Sequence, residues 1–594
     1  MIRKPLRPLA EVLRARARGE NPREIEKDNI RARHEAMKDG ARLRAEGRLL
    51  ILCIFFLGAF GAVGGRMAVL ASSDPTEPKA ARFGEQILSS RADIVDRKGR
   101  LLATNFETFS LYAQPQRMVA PKVAAERLAQ IFPDLEITKL TGLFTGDRKF
   151  VWVKRNLSPE QKQAVHDIGE PGLQFGPREM RLYPNGAIAA HVLGGARYGR
   201  EGVSSAEVIG VAGVERAFED RLRSIDRGNE PLRLSIDLSV QAATEEILAG
   251  GMRLMQAKGA SAVLMRVQTG EIVALASLPD FDPNQRPRPL TTGDQGDSPL
   301  FNRALQGVYE LGSVFKIFTM AQGIDLGLVN AHTEIDTTGP LKSGGHKIRD
   351  YRDYGPSLSV RDVLVKSSNI GTARVAMEIG AHRQKAFLDQ LGLLEATPVE
   401  MVEAKGAAPL LPKPWSETSM LTISYGHGMS ASPVHLASAY AAMVNGGTAV
   451  TPTLLKQDAP QEGPRVISQQ TSAVVRDMLR GVVVEGTASM ADVPGYYVGG
   501  KTGTADKPKP QGGGYFEDKV IATFASVFPA HKPEYVLIVT LDEPRETTGE
   551  EERRTAGWTA VPVAAETIRR VAPLLGLRPG VERSLKSGVT LASD

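Results

Sequence analysis

The longest apolar run of the chain lies close to its N-terminus and follows a basic segment. Residues 49–63 are uncharged and almost entirely apolar, and Gly64 and Gly65 extend the run to 17 uncharged residues. This length is at the short end for a membrane-spanning helix. The preceding residues 1–48 hold fourteen Lys or Arg and eight Asp or Glu, a balance of +6. The pattern predicts one N-terminal membrane helix whose basic flank stays in the cytoplasm while the rest of the chain crosses.

A cleaved signal peptide is the alternative interpretation of this segment. Val69-Leu-Ala71 has the small residues that a signal peptidase accepts. Two observations favour an uncleaved anchor. The basic region is much longer than the charged start of a signal peptide, and the apolar run exceeds its usual apolar core.

Short apolar segments flanked by turn residues predict strands in a mixed region between about residues 85 and 228. The segments are Asp93–Asp96, Ser110–Tyr112 and Phe150–Val153. Asp96-Arg-Lys-Gly99 is a turn sequence, and it predicts a hairpin. Before this region, residues 72–80 are rich in turn-forming residues and predict a short linker.

Strand patterns at both ends of the following region enclose a long helical stretch. The predicted strands are 232–237, 262–267, 272–276, a strand at Lys501, 521–527 and 535–541. The second and third of these, separated by Thr269-Gly-Glu, predict a β-hairpin. A buried helix is predicted to begin at Ser313, a helical region to continue to about residue 445, and a final helix to cover about 555–575. This order predicts an α+β domain whose sheet is discontinuous in sequence and carries a helical insert.

At 594 residues the chain should hold two or three folded domains. The predicted boundaries are 1–48 for a cytoplasmic basic arm, 49–70 for the anchor, 71–228 for a mixed β-rich domain, 229–577 for the α+β domain and 578–594 for a polar tail.

Composition excludes several classes of function. Cys53 is the single cysteine and lies inside the apolar run, so there is no disulfide framework and no Cys/His zinc spacing. We therefore expect no metal and no cofactor. The net charge of +6 lies entirely in residues 1–48, because the rest of the chain holds 60 basic and 60 acidic residues. The anchor accounts for this charge, which otherwise would suggest a DNA-binding protein. His191 and His427 are expected to have structural roles.

Three short motifs occur in order: Ser313-Val-Phe-Lys316, Ser367-Ser-Asn369 and Lys501-Thr-Gly-Thr504. The first two are weak alone, because serine and asparagine commonly cap helices and turns. The third motif occurs less often by chance, although a glycine turn at the end of a strand could have the same sequence. Spacings of 54 and 134 residues leave room for a helical subdomain and a return to the sheet. Because the three motifs occur together, we interpret them as one serine acyl-transfer site.

The chemistry of such a site requires a base near the serine. A serine hydroxyl is a poor nucleophile at neutral pH and needs a base within hydrogen-bond reach. Ser313 and Lys316 are three residues apart and share one face of a helix, which makes Lys316 the candidate base. A helix that begins at the serine also offers free backbone N–H groups to the oxyanion that forms on attack.

With these motifs the chain resembles the class B penicillin-binding proteins, and among them the FtsI-like septal peptidoglycan D,D-transpeptidases. The likeness runs from about residue 49 to 577. Further strings that carry it are Arg91–Ala103, Arg181-Leu-Tyr-Pro-Asn-Gly186, His191-Val-Leu-Gly194, Gly213–Phe218, Pro279–Asn284, Tyr425-Gly-His-Gly428, Asn445-Gly-Gly and Glu485-Gly-Thr-Ala488. Ala92 and Leu311 depart from it, because the family usually has glycine and proline there.

The resemblance implies a fold and a set of roles. The fold is a penicillin-binding, β-lactamase-like transpeptidase domain on a β-rich pedestal, with one N-terminal membrane helix. The substrate is the D-Ala–D-Ala end of a peptidoglycan stem peptide, which Ser313 attacks. Lys316 accepts the serine proton, and burial and the nearby Lys501 should depress its pKa. Ser367 relays the proton to the leaving amine, and Asn369 holds Lys316 and the substrate amide.

The third motif and the backbone complete the implied site. Lys501 binds the terminal carboxylate with Thr502 and Thr504, and Gly503 lets the substrate strand lie close to this edge. The oxyanion hole is formed by the backbone N–H groups of Ser313 and Thr504.

The resemblance also implies partners and a location. Penicillin and other β-lactams would bind covalently, and an amine of a second stem peptide would accept the acyl group. The protein would lie in the inner membrane with a periplasmic catalytic domain, beside a polytopic glycan polymerase of the FtsW type and other division proteins. No nucleic acid is expected. Three alternatives stay open: an elongation-type class B transpeptidase, a D,D-carboxypeptidase or β-lactamase of the same fold, and a non-catalytic scaffold or β-lactam sensor.

Overall fold

The computed structural model describes residues 7–72, 91–201, 206–224, 230–509 and 513–580. The chain separates into two units, residues 1–86 and 87–594. In the first unit, helix α1 (Arg7–Ala17) packs on helix α2 (Pro22–Ser72). Within α2, Glu46–Met67 is long and apolar enough to cross a membrane, and its large apolar side chains are exposed. Most of the predicted linker lies outside the described residues.

A five-stranded sheet and several short helices form the N-terminal part of the second unit. The strands are β1 (Ile94–Val95), β2 (Leu101–Ala113), β3 (Val151–Leu157) and β4 (Leu173–Leu182), with a separate pair β5 (Gly195–Glu201) and β6 (Ala206–Ala212). The helices are α3 (Pro121–Ile131), α4 (Ile137–Phe144), α5 (Pro159–His166), α6 (Ala190–Leu193), α7 (Gly213–Ala217) and α8 (Glu219–Leu222). Strand β7 (Leu232–Arg233) pairs with β1 and completes the sheet.

The predicted hairpin at Asp96 is confirmed. The Asp96 carboxylate accepts hydrogen bonds from the backbone N–H groups of Lys98 and Arg100 at 2.8 and 2.9 Å. Gly99 has φ +86°, a left-handed conformation that glycine adopts without steric cost. An aspartate and a glycine at these positions therefore fix the turn.

A buried ion-pair cluster fixes the base of the sheet. The Nε atoms of Arg91 and Arg181 each lie 2.6 Å from a carboxylate oxygen of Glu215, whose side chain is fully buried. Two arginines satisfy both oxygens of one carboxylate, which such a buried charge requires. Ala92, one of the two departures from the family resemblance, is buried here and its N–H donates to the Leu222 carbonyl.

The C-terminal part of the second unit has a five-stranded antiparallel sheet with helices packed against it. Its first elements are α9 (Leu238–Leu254), β8 (Gly259–Arg266) and β9 (Ile272–Leu278). The insert holds α10 (Lys316–Asp325), β10 (Glu334–Asp336), β11 (Leu341–Ser343), β12 (His346–Ile348), β13 (Ser357–Ser359), α11 (Val360–Val365), α12 (Asn369–Ile379), α13 (Ala381–Gln390), α14 (Glu417–Ser424), α15 (Pro433–Val444) and α16 (Gln469–Val484). The chain ends with β14 (Gly499–Pro508), β15 (Tyr515–Phe528), β16 (Tyr535–Asp542) and α17 (Ala560–Leu574).

The strand order is β14-β15-β16-β8-β9, so strands from both ends of this region meet in one sheet. Strand β16 pairs with β8 from Tyr535–Arg266 to Asp542–Gly259, and both strands are almost wholly buried. Unbroken apolar runs are typical of strands covered on both faces. The predicted α+β fold with a discontinuous sheet and a helical insert is confirmed.

Two predicted elements are wrong in part. The alternating segment 232–237 is a strand only at Leu232–Arg233, and Asp237 is instead the N-cap of α9, accepting hydrogen bonds from the backbone of Ser239 and Val240. Local alternation cannot distinguish a strand from a buried approach to a helix. The final helix begins at Ala560 rather than at about residue 555.

Candidate active site

Ser313 lies on a tight turn, one residue after a glycine in a left-handed conformation. Residues Gly312–Phe315 form a 3₁₀ turn that continues into α10 at Lys316. In such a turn residues three apart are eclipsed, so Ser313 and Lys316 lie on the same side. Gly312 has φ +60°, and a Cβ atom there would lie 2.6 Å from the Thr504 carbonyl oxygen. The predicted helix therefore begins as a 3₁₀ turn pressed against β14.

Helix α15 and the segment before it hold this turn in place. The Tyr440 hydroxyl donates to the Val314 carbonyl at 2.7 Å, and the Tyr440 side chain is fully buried. Its ring packs edge-on against Phe318 with ring centres 5.7 Å apart. The Gly312 N–H donates to the Gly426 carbonyl at 3.1 Å, within the Tyr-Gly-His-Gly string. Hydrogen bonds from the core therefore hold the backbone of the turn that carries Ser313.

Glycine at position 503 is required by a close contact within the protein. A Cβ atom on Gly503 would lie 2.1 Å from the Leu311 carbonyl oxygen and 3.0 Å from Val314. The close neighbour is thus the serine turn itself. Leu311, the other departure from the family resemblance, is fully buried.

The three motifs meet at the hydroxyl of Ser367. Lys316 Nζ donates to Ser367 Oγ at 3.1 Å and to the Ser367 carbonyl at 2.5 Å. Lys501 Nζ donates to the same Oγ at 2.9 Å. A hydroxyl oxygen accepts two hydrogen bonds and keeps its own proton for a third partner. Ser367 also has φ +65°, a strained conformation that typically marks a functional site in a residue other than glycine.

Burial sets the electrostatics of the two lysines. Both side chains are fully buried. Burial and the positive charge of Lys501 lower the pKa of Lys316 far below its ordinary value, while the Asp350 carboxylate opposes the shift. Burial also lowers the pKa of Lys501 to about 7. At neutral pH Lys316 is therefore the uncharged amine, the form that a general base requires.

Asn369 is not brought into contact with Lys316. Its side-chain amide donates to the Arg349 carbonyl at 2.9 Å, and it makes no hydrogen bond to Lys316 within the described chain. It lies at the start of α12, where Asp350 accepts from the backbone N–H groups of Asn369 and Ile370 at 2.5 and 3.0 Å. Asp350 was missed by the sequence reasoning, because a cap supplied from 19 residues away has no local signature.

Ser313 is on the same turn as its candidate base without bonding to it. The hydroxyl of Ser313 makes no hydrogen bond to any other residue that the structure describes, and Lys316 is directed to Ser367 instead. The structure thus brings Lys316, Ser367 and Lys501 into direct contact, with Ser313 beside them. Catalytic hydrogen bonds commonly tighten only when substrate is bound.

The threonines of the third motif have protein partners. Thr502 Oγ1 lies 2.7 Å from Thr487 Oγ1, and Thr504 Oγ1 accepts from the Ala556 N–H at 3.0 Å. Thr487 belongs to the Glu485-Gly-Thr-Ala string, one of the segments that carry the family resemblance. Strand β14 is the last strand of its sheet, so among the described residues only β15 pairs with it.

The predicted oxyanion donors lie on adjacent segments. A Cβ atom built on Gly312 would lie 3.1 Å from the Thr504 nitrogen, which places the start of the Ser313 turn beside that backbone N–H. Among the residues that the structure describes, no three His, Cys, Asp or Glu side chains could together hold a metal ion.

A cavity of about 720 Å³ opens beside the site. One wall carries Tyr425, His427 and Tyr515. The Tyr515 hydroxyl donates to both carboxylate oxygens of Glu310 at 3.0 and 3.1 Å, and Glu310 accepts from the Gly428 N–H at 2.9 Å. These contacts join the tip of β15 to the segment before Ser313. Glu310 was missed, since it belongs to none of the three motifs.

The two histidines singled out in the sequence differ in their surroundings. His191 is buried, its Nε2 lies 3.5 Å from the Pro279 carbonyl, and burial lowers its pKa to about 4, which fits a structural role. His427 instead lines the cavity, packs against Tyr425 at 5.5 Å between ring centres, and has a buried Nδ1 with no hydrogen-bond partner among the described residues.

Two family models cover most of the second unit. Residues 260–567 match the penicillin-binding protein transpeptidase domain, and residues 86–231 match the penicillin-binding protein dimerisation domain. The chain therefore belongs to the class B penicillin-binding proteins, the family of the FtsI-like D,D-transpeptidases.

Individual relatives agree with this assignment. The chain is 35% identical over 566 residues to a probable peptidoglycan D,D-transpeptidase FtsI of Caulobacter vibrioides, covering 93% of both chains. It is 28% identical to peptidoglycan D,D-transpeptidase FtsI of Escherichia coli, over 84% of this chain and 87% of that one. A crystal structure of penicillin-binding protein 3 from Mycobacterium tuberculosis with aztreonam has a TM-score of 0.61 and 26% identity, covering 83% of this chain and 97% of that one.

Proposed function

We propose that this protein is a membrane-anchored peptidoglycan D,D-transpeptidase that cross-links stem peptides at the division septum and binds β-lactams covalently. The observation that carries the proposal is the convergence of two buried lysines on Ser367, beside a serine on a rigid turn. A lysine kept neutral by burial can deprotonate a serine, as histidine does in other serine enzymes.

The first half-reaction forms an acyl-enzyme. Ser313 Oγ bonds to the carbonyl carbon of the penultimate D-Ala, and its proton passes to the neutral amine of Lys316. The oxyanion is stabilised by the N–H groups of Ser313 and Thr504. The C–N bond then breaks, Ser367 passes a proton to the leaving nitrogen, and D-Ala departs. Lys316 returns its proton to Ser367 through the 3.1 Å hydrogen bond between them.

The second half-reaction reverses these proton transfers. An amine of a second stem peptide attacks the acyl carbon and gives a proton to Ser367, which passes its own proton to Lys316. The Ser313 C–O bond then breaks, and Lys316 returns the proton to Ser313. The product is a new amide, which is the cross-link. No further reactant is needed for balance.

The third motif would bind the terminal carboxylate of the donor. Lys501, with a pKa of about 7, can hold a proton next to an anion, and Thr502 and Thr504 supply hydroxyl groups. Since β14 is an edge strand, the donor peptide can lie alongside it in extended form. Asn369, at the mouth of the cavity, is then available to the substrate amide.

The anchor and the domain boundaries form part of the proposal. Residues 49–70 would span the inner membrane once, with residues 1–48 cytoplasmic and the rest periplasmic; the exposed apolar side chains of α2 support this. Residues 71–228 would form the pedestal, 229–577 the transpeptidase domain and 578–594 the tail. The FtsI names of the relatives support a septal role beside an FtsW-type polymerase and other division proteins.

Intact-protein mass spectrometry after incubation with benzylpenicillin tests the chemistry. We expect the full-length wild type to gain one stable penicilloyl group and Ser313→Ala to gain none. Labelling of Ser313→Ala at the wild-type rate would show that another residue is the nucleophile. An adduct that disappears within seconds would identify a hydrolase of the same fold, and no adduct would favour a scaffold.

The cellular role needs a separate experiment. In the source organism, depletion of a septal enzyme should give filaments and a fluorescent fusion should collect at mid-cell. Rounded cells with a dispersed signal would favour the elongation-type alternative.

A further inference from the structure

Two carboxylates of the C-terminal part of the second unit hold backbone N–H groups of its N-terminal part. Glu245 of α9 accepts from the Ala189 N–H at 2.9 Å and from the Gln241 side chain at 2.7 Å. Glu403 accepts from the Gly213 N–H at 2.9 Å. The contacts of Glu245 with Ala189 and of Glu403 with Gly213 together are called the joint. Neither carboxylate takes part in the acyl-transfer steps.

The segments that the joint holds are short and packed on each other. Ala189, just before α6, has φ +60°, which a residue other than glycine adopts only where its surroundings impose it. A Cβ atom on Gly213, the first residue of α7, would lie 2.5 Å from the Val192 carbonyl oxygen. Arg286 Nε donates to the Gly194 carbonyl at the end of α6, at 3.0 Å. Because α6 and α7 are in backbone contact, opening of the joint would release them together.

Glu245 lies where a negative charge is disfavoured. Burial raises the pKa of Glu245 to about 7, and the Asp280 carboxylate adds to this shift, while the two hydrogen bonds that Glu245 accepts oppose it. Asp280 is held close to α6, because both of its neighbours contact His191: the Pro279 carbonyl lies 3.5 Å from His191 Nε2, and the Phe281 ring packs edge-on at 5.3 Å. Two carboxyl groups therefore share this side of α6.

Glu403 has an incomplete set of hydrogen bonds. Its Oε1 accepts from Gly213, but its Oε2 is buried and has no hydrogen-bond partner among the described residues. A buried charged oxygen without a partner is costly, and a protonated carboxyl group reduces this cost. Burial accordingly raises the pKa of Glu403, although the Gly213 N–H and the charge of Arg286 oppose the shift.

The other charges around Glu245 leave it without a cationic partner in the described chain. His191 on α6 has its pKa lowered to about 4 by burial and is uncharged at neutral pH. Strand β9, which packs against α9, has no charged residue. Helix α17 contacts α9 at Gly251, six residues beyond Glu245, and its charged side chains are exposed. The remaining charged residues near α9 and α6 are Glu246, Arg286, Arg303, Glu566, Arg569 and Arg570.

We propose that the joint is a proton-linked switch, which is closed while Glu245 and Glu403 hold protons and weakens when they ionise. A carboxyl group whose pKa is raised in the closed joint stabilises it fully below the ordinary pKa, and this contribution is lost as the pH rises through the raised value. For Glu245 this window runs from 4.5 to about 7. The N-terminal part is therefore held less tightly at neutral than at acidic pH. This inference does not depend on the acyl-transfer chemistry.

Amide hydrogen exchange of the full-length protein at about pH 6 and about pH 8.5 tests the switch. Exchange rates, corrected for their intrinsic pH dependence, are read by mass spectrometry in peptides covering 186–196 and 208–218. Strand β16, in the core of the other sheet, is the internal reference. The variants are Glu245→Gln and Glu403→Gln, which cannot ionise, and the matched control is Glu246→Gln, at the exposed next position of α9.

In the wild type and in Glu246→Gln, protection of peptide 186–196 should fall about ten-fold from the lower to the higher pH, whereas β16 should not change. Glu245→Gln should be equally protected at both pH values, and Glu403→Gln should reduce the pH dependence of peptide 208–218. A wild type with equal protection at both pH values would overturn the inference, whether or not the variants fold. A Glu245→Gln variant that keeps the fall, or an equal fall in β16, would also overturn it.

Discussion

Lys501 Nζ lies 2.9 Å from Ser367 Oγ, although the two residues are 134 positions apart. Lys316 donates to the same oxygen. One hydroxyl thus connects Lys316, three residues after Ser313, with Lys501 of strand β14. A substitution of either lysine should therefore change the pKa of the other.

Removal of the base should slow acylation and leave the fold intact. We expect Lys316→Met to acylate with benzylpenicillin about 10²–10⁴-fold more slowly than the wild type, which is the range of general-base catalysis. Stopped-flow or quench measurements of the adduct give the rate, and Lys405→Gln is the control. A rate within two-fold of wild type would mean that another group removes the serine proton.

Lys501→Met should shift the pH dependence of acylation. The positive charge of Lys501 helps to lower the pKa of Lys316, so its removal raises that pKa. Because Lys316 acts only when uncharged, the acidic limb of the rate profile should move to higher pH. The measurement is the penicillin acylation rate between pH 5 and 10. A limb at unchanged pH, with a lower rate throughout, would show that the two lysines are not electrostatically coupled.

The same substitution should change stability in a pH-dependent way. The pKa of Lys501 falls from its ordinary value of 10.5 to about 7 on folding, so the unfolded chain takes up this proton first as the pH falls. The contribution of Lys501 to stability therefore becomes less favourable between about pH 10.5 and 7 and changes no further below that, by up to roughly 5 kcal/mol at 1.36 kcal/mol per pKa unit.

Lys501→Met lacks this penalty, and its thermal unfolding midpoint should exceed that of the wild type more at pH 7 than at pH 10. Ser313→Ala serves as the control with both lysines present. An equal difference at both pH values would contradict the assignment of a depressed pKa to Lys501.

Tyr440 should matter to catalysis without touching the substrate. Tyr440→Phe leaves the buried Val314 carbonyl without its 2.7 Å partner, which should cost about 1–3 kcal/mol of stability. Because the carbonyl belongs to the serine turn, acylation should also slow, whereas Tyr496→Phe, at another buried tyrosine, should leave the acylation rate unchanged. A Tyr440→Phe variant that is less stable but acylates at the wild-type rate would show that the turn is held by its other contacts.

Local patterns predicted the fold well and the site's contacts less well. The runs 521–527 and 535–541 were predicted as strands because buried strands are unbroken apolar segments, and the strand at Lys501 was predicted with the third motif. The helix α9 was missed, because the alternation before it looked like a strand. The expected contact between Asn369 and Lys316 is not among the hydrogen bonds of the described residues, and the Asn369 amide donates instead to the Arg349 carbonyl. Contacts across the fold leave no periodic trace in the sequence.

The types of residue in the motifs predicted the acyl-transfer chemistry, although the sequence does not give the distances between their side chains. Serine and lysine three apart indicated a nucleophile and a base, and the depressed lysine pKa followed from burial. Tyr440 and Asp350 have no such signature, because a tyrosine in an apolar helix and an aspartate after an arginine are common in any chain. Their roles are shown only by their hydrogen bonds, from Tyr440 to the Val314 carbonyl and from the Asn369 N–H to Asp350.

The sheet order has a consequence for the newly made chain. Strand β14 is joined through β15 and β16 to β8. Strand β8, near residue 260, therefore cannot pair with β16, near residue 540, until that later strand has been synthesised. Non-local pairing of this kind is slow, and the incomplete intermediate exposes unpaired strand edges. A polypeptide that has emerged only as far as Ser313 thus lacks both the edge strand and the second lysine. The contacts that join the three motifs at Ser367 Oγ can therefore form only after residue 501 has been synthesised.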